Sequence, residues 1–290
     1  MKKILVTGSR GQLGREIEAR KDYLKGTVFY FMDIDDLDLR NEKEVLRTIG
    51  EIKPVLLVNC AAYTSVDRAE NDSENAYAVN SHAVKNIVGA AAKAPGMKLI
   101  HISTDFVFDG KGKIPYTEND IPDAQSVYGK SKQEGEGYAL SYPLSMVIRT
   151  SWLYSEYGSN FVKTILRLAP EKEYINVVND QIGSPTWAAD LAITVLKITG
   201  QSLNDNNRFI SGVYHYSNQG YCSWYDFACE IKKIKGLDIN IYPVSTAEYP
   251  LPAQRPAYSV LSLDKIKKTY HIKIPAWQDS LEKCLKRINQ

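Results

Sequence analysis

Along the first half of the 290-residue chain, short apolar and often β-branched runs alternate with longer stretches whose apolar residues recur at helical spacing. The runs cover 4–7, 28–32, 55–59, 99–103 and 146–150. Each is apolar on both faces, which predicts central strands of a parallel sheet rather than half-exposed antiparallel ones. The helical stretches cover 12–20, 42–52, 70–92 and 126–141. Strand–helix repetition at this pitch predicts an α/β fold, a doubly wound parallel sheet of Rossmann type with helices on both faces and right-handed crossovers.

After about residue 150 the rhythm changes, and aromatics and prolines become frequent, among them Trp152, Tyr154, Pro185, Trp187, Trp224, Pro252 and Pro256. Residues 187–199 still read as an amphipathic helix and 213–216 as a strand, while 221–290 read as a smaller mixed α/β unit. The segment 201–208 is rich in Asn and Asp and reads as an exposed loop. The expected organisation is a dinucleotide-binding domain over 1–150, to which 187–217 return, and a substrate domain from 151–186 and 218–290.

The formal net charge of +2, from 36 basic and 34 acidic residues, lacks the basic excess of a nucleic-acid protein. Cys60, Cys222, Cys229 and Cys284 form no C-x-x-C pair and no zinc spacing, so they read as free thiols in a reducing compartment. No apolar run is long enough to span a bilayer, and the first residues lack a signal-peptide apolar region. The expected location is the cytoplasm, with no membrane partner.

Gly8-Ser9-Arg10-Gly11-Gln12-Leu13-Gly14 follows the first strand and opens the first helix. There, glycines allow a sharp turn, close approach of a pyrophosphate and tight helix–strand packing, and the helix N-terminus offers free N–H groups to phosphate. The spacing is G-x-x-G-x-x-G. Asp33, at the end of the second strand, suits the ribose hydroxyls of NADH, whereas Arg10 suits the 2′-phosphate of NADPH, and the two signals conflict. Asp38 and Leu39 border the expected adenine site. Ala61, Ala62 and Tyr63 end the third strand, where small residues let a cofactor lie against the sheet edge.

Tyr128 and Lys132 form Y-x-x-x-K at the start of a helical stretch, so phenol and ammonium share a face. An ammonium beside a phenol stabilises phenolate and lowers the phenol pKa, and the tyrosine can then give its proton to a carbonyl oxygen as hydride arrives at carbon. Ser103-Thr104-Asp105 ends the fourth strand, and a hydroxyl there can hold the same oxygen. The glycines of this helix, Gly129, Gly135 and Gly137, fit either close approach or drift.

Beyond these superfamily-wide signals, Val66-Asp67-Arg68-Ala69-Glu70, Ser103-Thr104-Asp105-Phe106-Val107-Phe108-Asp109-Gly110, Arg149-Thr150-Ser151-Trp152, Asp180-Gln181-Ile182-Gly183-Ser184-Pro185-Thr186 and Arg255-Pro256 give a more specific pattern. Through nearly its whole length the chain resembles the dTDP-4-dehydrorhamnose reductase branch of the extended short-chain dehydrogenase/reductase family. The resemblance implies hydride transfer from NADPH or NADH to C4 of dTDP-4-dehydro-6-deoxy-L-mannose, giving dTDP-L-rhamnose. It makes Tyr128 the proton donor, Lys132 its partner and a nicotinamide-ribose ligand, and Thr104 the residue that orients the ketone. Asp105 and Trp152 would shape the sugar site, with Asn160, Gln181 and Arg255 near the diphosphate or the sugar. Relatives that bind Mg²⁺ at a subunit contact point to Glu16 and Asp190, but a metal is not predicted, and a homodimer face is one use for the Tyr-rich second half. A 4,6-dehydratase is disfavoured, because Phe106 stands where its glutamate would follow Asp105. Another sugar-nucleotide reductase, a 4-epimerase and a non-catalytic NADP-binding regulatory subunit remain as alternatives.

Overall fold

A computed structural model describes residues 1–288. The first half contains strands β1 (Lys2–Thr7), β2 (Thr27–Met32), β3 (Leu56–Asn59), β4 (Lys98–Thr104) and β5 (Ser145–Thr150). Its helices are α1 (Gln12–Glu18), α2 (Glu42–Ile52), α3 (Val66–Ala69), α4 (Ser73–Tyr77), α5 (Ala83–Ala92) and α6 (Val127–Leu140). The second half adds β6 (Leu153–Tyr154), α7 (Phe161–Leu168), β7 (Tyr174–Val178), β8 (Ile182–Gly183), β9 (Thr186–Trp187), α8 (Ala188–Asn204), β10 (Gly212–His215), β11 (Cys222–Ser223), α9 (Trp224–Lys235), β12 (Asn240–Val244), α10 (Asp264–Tyr270) and α11 (Trp277–Ile288).

Six parallel strands form the main sheet in the order β10-β5-β4-β3-β1-β2. Alternation along β1 builds a core on each face. Ile4 and Val6 join α1 and α8 on one side, and Leu5 joins α2, α5 and α6 on the other. The chain leaves β1 for the edge strand β2 and returns to β3 on the opposite side of β1. The strand order therefore switches between β1 and β3, and a crevice opens at their carboxyl ends, where open α/β sheets take ligands.

The second half contributes β10 and α8 to this sheet and its covering layer, β10 in register with β5 from Gly212↔Met146 to His215↔Arg149. The rest gathers around a separate core of Tyr154, Val162, Ile165, Phe227, Trp277 and Leu281, flanked by the parallel pair β7–β12. Among the described residues no helix is long and apolar enough to cross a membrane. All four cysteines are free thiols.

Four sequence expectations are corrected. The stretch 70–92 is not one helix but α4, a π turn at Ala78–His82 and α5. Buried Asn80 lies in that turn, and its side chain bonds both backbone groups of Tyr63 and the Ser131 hydroxyl. A π bulge re-aims a side chain out of helical phase, and here it does so for a polar tie. Strand β2 is only half-buried along its whole length, because it is a sheet edge. The expected loop 201–208 begins as the last turn of α8, whose Ser202 and Leu203 carbonyls accept the Lys98 and Lys2 ammonium groups. Cations at a helix C-terminus satisfy its free carbonyls and oppose its dipole, so polar sequence there is compatible with helix. Finally, α1 stops at Glu18, and the Arg20 guanidinium turns back to Glu16.

Candidate active site

The glycine turn is shaped by contacts that leave no room for side chains. Gly8 has φ +66°, and a Cβ there would lie 2.5 Å from the Ala61 nitrogen. A Cβ at Gly14 would lie 2.5 Å from the Gly8 carbonyl oxygen, so the start of α1 rests directly on the turn. The Ser9 N–H donates to the Met32 carbonyl (3.2 Å) and the Gly11 N–H to that of Gly8 (3.1 Å). Bare backbone thus faces an open cleft of about 310 Å³ at the β1/β3 switch point. A cradle that a single Cβ would fill fits the pyrophosphate of a dinucleotide.

Of the residues expected at the cofactor, Gly8, Gly11, Asp33, Asp38, Leu39, Ala61, Ala62 and Tyr63 line this cleft. Leu13 and Gly14 lie beneath it as packing, with Leu13 in the core under α1. Gln12 turns toward the second half of the chain, donating to the Leu153 carbonyl and accepting from Asn160. Arg40 and Ile34 also line the cleft and carry no motif signal. Asp33 accepts from the Arg10 N–H (2.8 Å) and the Ile34 N–H (2.9 Å), so it staples the turn. The Arg10 guanidinium is exposed and paired with Asp35 and Asp36, while Arg40 clasps Asp38 through three side-chain bonds, at 2.9, 3.2 and 2.8 Å. Arg40 thus lines the cleft, and Arg10 stands beside it on the turn that Asp33 staples.

The third wall rests on a buried polar chain. The Thr7 hydroxyl donates to the Asn59 Oδ1 (2.8 Å), which also takes the Ala61 N–H (3.1 Å), and the Asn59 Nδ2 bonds the His101 Nδ1 (3.1 Å). With its oxygen already accepting twice, Asn59 donates through nitrogen. His101 is then neutral with its proton on Nε2, and burial holds its pKa well below the usual imidazole value.

Tyr128 and Lys132 stand in the first turns of α6, whose start is capped by the Ser126 side chain accepting from the Gly129 N–H (3.1 Å). The helix lies unusually close to its neighbours. A Cβ at Gly129 would lie 2.3 Å from the Phe106 carbonyl oxygen, and one at Gly135 2.0 Å from that of Asn80, whereas Gly137 faces open space. Two of the three glycines therefore let α6 settle against the strand-four turn and the π turn. This brings the Tyr128 phenol to the Thr104 hydroxyl and its ring edge to Phe106, at 5.5 Å between centroids.

The charges depart from the sequence expectation. Burial pushes the Tyr128 phenol up to about 12, with the Thr104 bond pulling the other way, and Lys132 falls to about 8. The Lys132 ammonium is 1% exposed and donates to the Ile102 carbonyl (2.7 Å) rather than to the phenol. The tyrosine is thus raised, by burial and by the Asp105 charge, rather than lowered by the lysine as expected. Asp105, also 1% exposed, is pushed up to about 6 by burial, which the neighbouring Ser259 and Thr104 hydroxyls oppose.

The residues expected at the sugar nucleotide divide. Trp152 directly follows β5 and Ser151 in a left-handed conformation (φ +47°), its ring stacked on Trp224 at 3.6 Å and its edge filling the space where Gly183 lacks a side chain. A bulky residue held at positive φ is strained and must be over-determined by its surroundings, a pattern that clusters at working sites. Gln181 is buried and donates to the Thr246 hydroxyl (3.0 Å). Asn160 caps α7, its Nδ2 bonding Gln12, so it joins the phosphate turn to the second half. Arg255 makes a bidentate pair with Asp67, at 2.9 and 2.6 Å. Glu16 is buried and Asp190 half-buried, and they are engaged separately, Glu16 by Arg20 and Ser155, Asp190 by Asn218 and Ser280. Among the described residues no group of three or more His, Cys, Asp or Glu is arranged to hold a metal ion.

Comparison with known proteins follows the same outline. Residues 1–290 match the family model described as RmlD substrate binding domain. A protein of Sinorhizobium fredii named dTDP-4-dehydrorhamnose reductase is 40% identical over 290 residues, covering 98% of this chain and 96% of the relative. The Bacillus subtilis spore coat polysaccharide biosynthesis protein SpsK is 41% identical over 286 residues, covering 98% of this chain and 97% of the relative. The crystal structure of a dTDP-4-dehydrorhamnose reductase from Bacillus anthracis in complex with NADP is 38% identical, with a TM-score of 0.93 over 99% of this chain and all of the other.

Proposed function

We propose, from the premise that the chain belongs to the RmlD substrate binding domain family, that it is an NAD(P)H-dependent reductase acting on the C4 ketone of dTDP-4-dehydro-6-deoxy-L-mannose to give dTDP-L-rhamnose. The observation that carries the reading is the convergence of Tyr128, Thr104 and Lys132 at the carboxyl end of β4, one strand from the glycine cradle. The division of labour follows the chain. Residues 1–150 with 187–217 hold the dinucleotide, and 151–186 with 218–290 close over the sugar nucleotide. Four free thiols and the absence of a membrane-spanning helix among the described residues suit work in the cytoplasm.

A reduced nicotinamide, when bound along the β1/β3 crevice, supplies the hydride. Gly8, Gly11 and the first N–H groups of α1 would hold its pyrophosphate, and Ala61, Ala62 and Tyr63 its flank. Arg10 and Arg40 would suit a 2′-phosphate, and Asp33, with lone pairs left on both oxygens, would still accept from ribose hydroxyls, so the cleft suits NADPH and NADH. Tyr128 is the proton donor. A phenol held near 12 is fully protonated at neutral pH, and it releases its proton as negative charge builds on the ketone oxygen. The Lys132 ammonium, fixed by the Ile102 carbonyl, stabilises the phenolate left behind and suits the nicotinamide ribose hydroxyls. Thr104 orients the ketone oxygen, Asp105 and the Trp152–Trp224 stack shape the sugar chamber, and Gln181 lies at its rim. Asn160 supports the phosphate turn through Gln12, and Arg255 with Asp67 closes the nucleotide end.

Tyr128→Phe is the direct test. Oxidation of NADPH with dTDP-4-dehydro-6-deoxy-L-mannose should fall by about 10²–10⁴-fold while NADPH binding is kept, because only the transferable proton is removed. Wild-type turnover in that variant would remove Tyr128 from the role. Interconversion of sugars without net loss of NADPH by the wild type would mark an epimerase instead.

A further inference from the structure

One buried group beside the reacting centre has no role in hydride or proton transfer as described. The Asp105 side chain is 1% exposed, and its Oδ2 has no hydrogen-bond partner among the described residues, while its Oδ1 lies 3.0 Å from the Thr104 hydroxyl. A carboxyl so placed is costly when ionised. The titratable group facing it from a neighbouring element is the Tyr128 phenol of α6, and from the C-terminal segment it meets the Ser259 hydroxyl. Lys132, one turn further along α6, is turned to the Ile102 carbonyl.

The Thr104 hydroxyl has one hydrogen and two lone pairs. The Phe106 N–H donates into one lone pair, at 3.2 Å. A carboxylate only accepts, so an ionised Asp105 takes the single hydrogen in a charge-assisted bond. The remaining lone pair can then receive the Tyr128 proton, but Thr104 has nothing to donate to a ketone oxygen. A protonated Asp105 is itself a donor to Thr104, whose hydrogen is then free to turn toward the substrate.

We propose that Asp105 is a positioning residue that sets the direction of the Thr104 hydroxyl, and thereby whether a ketone oxygen at Tyr128 meets two donors or one. The proposal rests on the reductase reading for its consequence, but not for the coupling between the two side chains. It makes reduction fastest with Asp105 neutral. Its carboxyl is pushed up to about 6 by burial, so the wild-type kcat should fall by about tenfold or more as pH rises through that value, consistent with the worth of one donor to an oxyanion.

The test combines Asp105→Asn, Thr104→Val and the double variant. The amide of Asp105→Asn does not titrate, so its kcat should be flat across this range. Because Asp105 acts through Thr104, adding Asp105→Asn to Thr104→Val should cost nothing further. A kcat limb near pH 6 that persists in Asp105→Asn, or losses that simply multiply in the double variant, would overturn the proposal. A second readout needs no turnover. The infrared difference between wild type and Asp105→Asn should carry a protonated-carboxyl band that disappears as pH rises through about 6, with its midpoint moved up in Thr104→Val, where the stabilising hydroxyl is gone. An unmoved midpoint overturns the coupling even if the wild type fails to reduce the keto-sugar, a failure that counts against the reductase reading instead.

Discussion

Gly8 shows how much of the site is decided by single positions. Its φ of +66° is open to glycine at no cost and costs an alanine about 1–2 kcal/mol, before the collision with the Ala61 nitrogen is counted. Gly8→Ala should therefore weaken NADPH binding by more than tenfold, read by titration of nicotinamide fluorescence, and lower Tm as well. Unchanged affinity would mean that the cofactor does not approach this turn. The glycine motif was legible in the sequence because its spacing and its place after a strand are local properties. The roles of Gly129 and Gly135 were not, since only the position of Phe106 and Asn80 against α6 separates them from Gly137. The same holds for the tyrosine. Four-residue spacing puts Lys132 on its face of the helix, yet burial and the neighbouring Asp105, both set by the fold, push the Tyr128 pKa up rather than down.

At the scale of elements, the apolar runs located all five strands of the first half because a strand buried on both faces leaves a compositional trace. The trace does not say which strand is an edge, and the half-exposed β2 reads like the rest. Nor does helical spacing reveal the π turn at Ala78–His82, since one extra residue per turn barely disturbs the apolar pattern that flanks it. Helix α1 supplies a test at this scale. Its Glu16 is fully buried beside Glu156, and burial and that neighbour push it up to about 7 from about 4.5. A carboxyl with a raised folded-state pKa contributes stability that is complete below about 4.5 and is lost as pH rises through about 7. Glu156, held low by the hydrogen bond with the Glu16 carboxyl and then by Arg287 and Trp187, is the ionised member of the pair. The wild-type Tm should accordingly drop between about pH 5 and pH 8 relative to Glu16→Gln, whose amide mimics the neutral acid. Parallel Tm curves for the two proteins would sink the argument.

For the whole molecule, the pair Asp67–Arg255 joins α3 to the segment before α10, and Asp67 also accepts from the Ala253 N–H. The pair is partly exposed, at 21% and 37% for its two side chains, so its worth to stability is below about 1 kcal/mol. Its consequence should appear in binding. Arg255→Gln is expected to raise KM for the sugar nucleotide severalfold with KM for NADPH and Tm nearly unchanged, whereas equal effects on both KM values would make the pair a general scaffold. By itself the sequence determined the fold class and singled out the glycine turn and the candidates Thr104, Tyr128 and Lys132, because strand burial, glycine turns and helix-face spacing are written in short-range patterns. Only the tertiary structure decided that Asp33 staples the Arg10 turn, that Arg255 faces Asp67, that Asn160 braces Gln12 and that Asp105 is buried against α6. Those outcomes depend on which polar groups meet after water has been excluded, and partners and desolvation are properties of packing between segments far apart in the chain.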